Sequence, residues 1–226
     1  MTHGRAWPDP RRLVLASTSP RRRALLREAG IEHDAIAPGV DDAELTPGAA
    51  CGKRWVMSLA YLKARAGVDA LRATGDARDC VVLGADTLCQ LDDGTSRELM
   101  IAPRDASEAR RMLRAMRSRE HAVYTGLALV ELAGSACADA SRRHEPPRAV
   151  IVDCARVRWG HVEDDEIERY IESGGWRGKA GAYNLTERVA EGWPIEVEGD
   201  PQGVMGLPIR RLAELSRALG GPCCAA

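Results

Sequence analysis

The sequence predicts an α/β fold with a mixed central sheet, built as one domain or as one domain in two lobes around a cleft. Three observations carry that expectation. Short apolar runs alternate with stretches of helical periodicity along most of the chain, the pattern of strands packed against helices. One pair of apolar runs flanks Asp92-Asp93-Gly94, a hairpin signal, so the sheet is not purely parallel. The 226 residues, 45% apolar and 29% charged, are enough for one sizeable core without a metal or disulfide staple.

Taken in order, residues 1–11 are polar, with two prolines, and read as a loose tail ahead of a domain over 12–220; residues 221–226 read as a second tail. Leu13 to Ala16 is an apolar run and predicts a buried strand. Ser19 is a suitable N-cap and Pro20 a suitable first helical residue, so a helix follows and ends at Gly30. His33 to Ala37 predicts a second strand, and Pro38 to Gly48 an acidic loop. Trp55, Leu59, Leu62 and Ala66 recur at helical spacing, which predicts a helix or a broken pair over about 50–73. Val81 to Ala85 reads as a central strand ending at Asp86-Thr87, with the hairpin strands Leu88 to Leu91 and Leu99 to Ile101 beyond it. Asp105 opens a helix through Met116. Ala122 to Leu132 and Ala149 to Trp159 read as strands around a polar loop. A helix over Glu163 to Ser173 stops at Gly174, a short strand spans Ile195 to Glu198, and a closing helix spans Ile209 to Leu219.

Charge and cysteines exclude several classes. Thirty-two basic residues against 33 acidic ones leave a net charge of −1, so no global basic field exists for a nucleic acid polymer or an anionic membrane. The longest nearly apolar stretch, Cys80 to Cys89, is too short to cross a bilayer. The N-terminal residues lack the apolar segment of a signal peptide, so the expected location is cytoplasmic. The seven cysteines show no CxxC and no zinc spacing, and read as free thiols. Only Lys53, Lys63 and Lys179 are lysines among the basic residues. In a chain that otherwise uses arginine, a retained lysine marks a place where a compact ammonium is needed, or survives by chance.

Three segments have the residue types for phosphate chemistry. Ser17-Thr18-Ser19-Pro20-Arg21-Arg22-Arg23 joins a strand to a helix start, where free backbone N–H groups and forked guanidinium groups suit an anion. Its plainer reading is an N-cap with a solvated basic turn. Gly84-Ala85-Asp86-Thr87 sets a carboxylate at a strand end, where it can hold a divalent ion, accept a proton or simply cap the turn. Asp41, Asp42 and Glu44 could join a metal site or form a solvated acidic loop. Gly178-Lys179-Ala180-Gly181-Ala182-Tyr183 is a lysine flanked by glycines that permit close approach to a ligand. Gly199 to Pro208 reads as a structural turn, and no histidine falls into a constellation.

The order of these segments resembles the Maf family of nucleoside triphosphate pyrophosphatases. The family pattern is matched by Ser17 to Arg22, Asp41-Asp42, Lys63 in an apolar helix, Gly84 to Thr87, Ala102-Pro103-Arg104-Asp105, Lys179 to Tyr183 and Gly206-Leu207-Pro208. The resemblance implies a two-lobed fold shared with inosine triphosphate pyrophosphatases, often dimeric, that hydrolyses a nucleoside triphosphate to monophosphate and pyrophosphate. It implies a divalent metal cofactor (Mg, Mn or Co), the branch acting on dTTP and UTP, and a homodimer as the partner. It assigns Asp86 and Lys63 to catalysis, Asp42 and Asp86 to metal, and Ser17, Ser19, Arg21, Arg22, Thr87, Lys179 and Thr186 to substrate. Two positions depart from the pattern. Ala102 replaces a lysine, with Arg104 the nearby cation that could reach in, and Tyr183-Asn184-Leu185-Thr186 replaces Y-G-I-Q, with Glu187 next. The alternative expectation is a nucleotide-binding regulator, linked to cell division, that has lost turnover.

Overall fold

The computed structural model describes residues 7–40, 45, 51–76, 78–133 and 148–219. Strand β1 (Arg12–Ala16) leads through helix α1 (Pro20–Glu28) to β2 (Asp34–Ile36), which pairs parallel with β1. Helix α2 (Gly52–Ala73) is one unbroken helix of 22 residues. Strand β3 (Cys80–Asp92) turns back into β4 (Arg97–Met100), and α3 (Ala106–Met116) follows. The long strands β5 (Glu120–Leu132) and β6 (Arg148–Trp159) come next. They are followed by α4 (Asp164–Ser173), a 3-10 turn (Ala180–Ala182), α5 (Leu185–Ala190), β7 (Ile195–Glu198), α6 (Pro201–Val204) and α7 (Ile209–Leu219). The sheet has seven strands in the order β2-β1-β3-β5-β6-β7, with β4 also pairing β3. β1 runs parallel to both its neighbours and the other pairs are antiparallel, so the sheet is mixed as expected.

Side-chain alternation divides the interior. Even-numbered residues of β1, β3 and β5 (Val14, Val82, Val130 and others) point toward α2 and pack with Ala60, Ala64 and Val68. Odd-numbered residues at the same end of the strands (Leu15, Leu83, Leu129) pack with Leu25 and Leu26 of α1 and Leu212 and Leu215 of α7. At the far end of the same long strands, Cys89, Leu91, Val123, Val157 and Trp159 join Met112, Ile167 and Trp193 in a separate core. Four of the five tryptophans are buried in these cores.

Two expectations about elements change. β3 does not end at Asp86-Thr87; it runs 13 residues without a break, and β5 pairs with it from Cys80 to Gln90. Asp86 therefore lies in mid-strand, because β5 supplies continuous hydrogen bonding along one edge whatever the polarity of the side chains. Residues 7–11 are not a loose tail. Trp7 joins the core under β1, and Asp9, 7% exposed, takes a forked pair of hydrogen bonds from the Arg11 side chain.

Candidate active site

The other edge of β3 places the site. β1 pairs with Cys80 to Leu83, and β4 pairs with Cys89 to Asp92. Between them, Gly84 to Leu88 has no partner strand on that edge among the described residues. The two lobes part here, and the Gly84-Ala85-Asp86-Thr87 segment lies in the gap. Its side chains alternate, so Asp86 faces the α2 side while Thr87 faces the α1 side.

On the α2 side, Lys63 Nζ donates to Asp86 Oδ1 at 2.7 Å, and both side chains are nearly buried. Gly84 sets this pair. A Cβ there would lie 2.0 Å from the Ala60 carbonyl oxygen, so only glycine lets α2 lie flat on β3 and carry Lys63 over Asp86. Gly126 on β5 meets Val56 in the same way. Asp42, expected as a second carboxylate, lies outside the described residues.

On the α1 side, Arg22 draws three segments together. Its Nε donates to the Gly206 carbonyl at 3.0 Å, and its two terminal nitrogens to Ser17 Oγ at 3.4 Å and Thr87 Oγ1 at 3.3 Å. Thr87 Oγ1 meets Thr125 Oγ1 at 2.9 Å, and Thr125 donates to the Gly203 carbonyl at 2.8 Å. Thr87, Thr125 and Asp153 are register partners across β3, β5 and β6, so a polar row crosses the sheet between two apolar cores. Gly206 has φ of 99°, and a Cβ there would press on Thr87 and Arg22 at 3.2–3.4 Å. The segment read as a plain turn thus holds the site's arginine in place.

The start of α1 keeps its backbone donors available. Ser19 sits at the N-cap position, yet its hydroxyl makes no capping bond. Its N–H instead donates to Ser17 Oγ at 3.1 Å. Arg21 follows in the first turn of α1. Burial lowers its pKa from the ordinary value, and the opposing charge that acts most strongly on it is Glu187 of the far lobe.

On the far lobe, Lys179 Nζ donates to Glu187 Oε2 at 2.8 Å, and Asn184 Nδ2 donates to Glu187 Oε1 at 2.5 Å. Thr186 Oγ1 donates to Asn184 Oδ1 at 3.0 Å. The Glu187 carboxylate is partly desolvated, which raises its pKa, but Lys179 and Asn184 outweigh that and hold it below the usual value. Gly181 N donates to the Ile101 carbonyl at 3.3 Å, so Ala102 lies beside this segment. Arg104 does not reach in for the absent lysine. Its side chain is 84% exposed and pairs with Glu108 Oε2 at 3.1 Å, because Glu108 sits one turn into α3 and also accepts from the Arg104 backbone.

Sequence reasoning missed His121. It is 2% exposed, bonds Tyr183 Oη through Nε2 at 3.1 Å, and packs edge-on to Trp159 and Tyr183. Burial pushes its pKa down to about 4. Its alternation with Val123 on the inward face of β5 was the available signal. Among the described residues no three His, Cys, Asp or Glu side chains gather as a ready metal cluster, no disulfide forms, and no helix is long and apolar enough to cross a membrane.

The site sets an acid–lysine pair on one side of the parted sheet and an arginine-bearing helix start on the other, groups of the kind that suit phosphate. The chain belongs to the Maf-like protein family, whose sequence profile matches residues 12–219. It is 35% identical over 212 residues to the dTTP/UTP pyrophosphatase of Chelativorans sp. (strain BNC1), covering 93% of this chain and 92% of that one. It is 37% identical over 206 residues to the dTTP/UTP pyrophosphatase of Salinibacter ruber, covering 91% and 90%. A solved nucleoside-triphosphatase / dITP/XTP pyrophosphatase from Mycobacterium abscessus overlaps with a TM-score of 0.34 at 17% identity, covering 67% and 74% of the two chains, too loosely to bear on the site.

Proposed function

We propose that this chain hydrolyses a nucleoside triphosphate of the dTTP/UTP type, or a modified nucleotide, to the monophosphate and pyrophosphate. The observation that carries the reading is the Lys63–Asp86 pair, 2.7 Å apart in the gap between the lobes. Water attacks the α-phosphorus, the bond to the bridging oxygen breaks, and pyrophosphate leaves. Asp86 takes the water's proton, and Lys63 holds the carboxylate in place. Ser17, Ser19 and the first N–H groups of α1 receive phosphate oxygens, and Arg21 supplies an unspent guanidinium. Arg22 orients Thr87 and Ser17. Thr186, with its hydroxyl already given to Asn184, lies toward the nucleoside, and Lys179 toward the phosphates.

The donor set suits a divalent cation of the Mg, Mn or Co kind. Asp86 provides a carboxylate, and such an ion commonly takes one or two carboxylates together with substrate phosphates. When bound, it neutralises phosphate charge. The reading includes Asp42 as a second ligand, a single domain over 12–220, a homodimer and a cytoplasmic location.

A second reading is a nucleotide-binding regulator with weakened turnover. It is favoured by Ala102 together with the outward Arg104, which leave one cation fewer at the cleft than the family pattern has. Pyrophosphate release from a panel of triphosphates, with each metal in turn, separates the two. Release supports the enzyme, and nucleotide binding without release supports the regulator.

A further inference from the structure

Glu187 is an acid set beside Lys179 and opposite Arg21. Its carboxylate bonds the Lys179 ammonium and the Asn184 amide. It is also the leading counter-charge to Arg21, which makes no hydrogen bond or ion pair among the described residues although burial has stripped much of its water. Lys179 is 15% exposed and Glu187 48% exposed, so the pair spans the boundary between lobe and solvent. Glu187 sits in the first turn of α5, where an acid is favourable in any case. A capping role alone does not explain why both oxygens are taken up by side chains, one of them a lysine from a different segment.

From these contacts we infer that Glu187 is a positioning and specificity residue: it sequesters Lys179 as an internal counter-ion, which a phosphate-bearing ligand must displace before Lys179 can bind it. Glu187 thereby sets the affinity of the cleft for polyanions and holds back ligands too weakly charged to compete. The inference rests on the pyrophosphatase reading only for the nature of the anion. The carboxylate held 2.8 Å from the ammonium offsets its charge within the cleft. Substrate charge, rather than new contacts, then decides whether the pair opens.

The test is calorimetric binding of inorganic tripolyphosphate to the full chain and to E187Q, K179A and E187Q/K179A. Glutamine keeps the shape and can still accept from Asn184, so the fold is retained. E187Q is expected to bind roughly fivefold tighter at low salt, the size of a surface charge effect, and the gain should vanish at about 1 M salt. K179A is expected to weaken binding less in the native background than in E187Q, and to abolish the gain in E187Q. A flat E187Q result overturns the inference. So does a gain that persists in the double variant, which would mean simple loss of repulsion, and so does an equal K179A effect in both backgrounds. Hydrolysis is assayed separately. If no nucleotide is hydrolysed while this pattern holds, the pyrophosphatase reading falls and the inference stands; hydrolysis with a flat pattern gives the reverse.

Discussion

Arg104 settles what stands in for the missing lysine at position 102: nothing from its own segment does. Its guanidinium lies in solvent against Glu108, so Arg104→Ala should leave turnover within about twofold of the parent, the scale of surface substitutions. Ala102→Lys should raise kcat on at least one triphosphate, because an ammonium beside the leaving pyrophosphate acts on charge that grows as the bond breaks. Steady-state rates of the two variants check both outcomes, and a dead Arg104→Ala would reverse them. Asp86→Asn should lose turnover by about a hundredfold or more while still binding nucleotide, since an amide takes up no proton. The residue types of the candidate site were visible in the sequence, as Ser, Arg, Lys and Asp at strand and helix ends. Their commitments were not. That Arg22 is spent on Ser17, Thr87 and Gly206, and Lys179 on Glu187, depends on segments far apart in the chain.

At the scale of elements, α2 and β3 show where local pattern stops being informative. The polar break Gly84-Ala85-Asp86-Thr87 reads as the end of a strand. It lies inside one, because β5 pairs along the whole of β3 while β1 and β4 leave the other edge open. Gly84, inside that strand, is the contact on which α2 rests. Gly84→Ala should destabilise the fold by about 3 kcal/mol, at the upper end of overpacking costs, and separate Lys63 from Asp86; denaturant unfolding measures the first and loss of activity the second. β5 carries a pH response. His121 has a pKa near 4 in the fold against an ordinary 6.5. Between those values the unfolded chain binds a proton that the folded chain refuses, so stability is full above pH 6.5 and falls as pH drops toward 4. The loss amounts to roughly 3 kcal/mol. A His121→Gln variant should lose most of this slope in pH-dependent unfolding, and an unchanged slope would place the response elsewhere.

Across the whole molecule, three cores share the long strands, and a polar row of Thr87, Thr125 and Asp153 marks the line between two of them. The two-lobed architecture was legible because motif order and element order agree along nearly the full chain. The lie of the lobes was not, since it follows from which edge of β3 each neighbour occupies. Trp7 belongs to the same lesson. Among prolines and arginines it reads as tail, and only the underside of β1 gives it a place to pack. The central claim, that the gap in the sheet is a pyrophosphatase site worked by Asp86, is tested most directly by phosphorus NMR of the products from dTTP and UTP. The measurement compares the parent with Asp86→Asn in the presence of Mg²⁺ or Mn²⁺. The account predicts monophosphate and pyrophosphate in equal amounts from the parent and almost none from the variant. Orthophosphate with a nucleoside diphosphate, or undiminished turnover by Asp86→Asn, would contradict it.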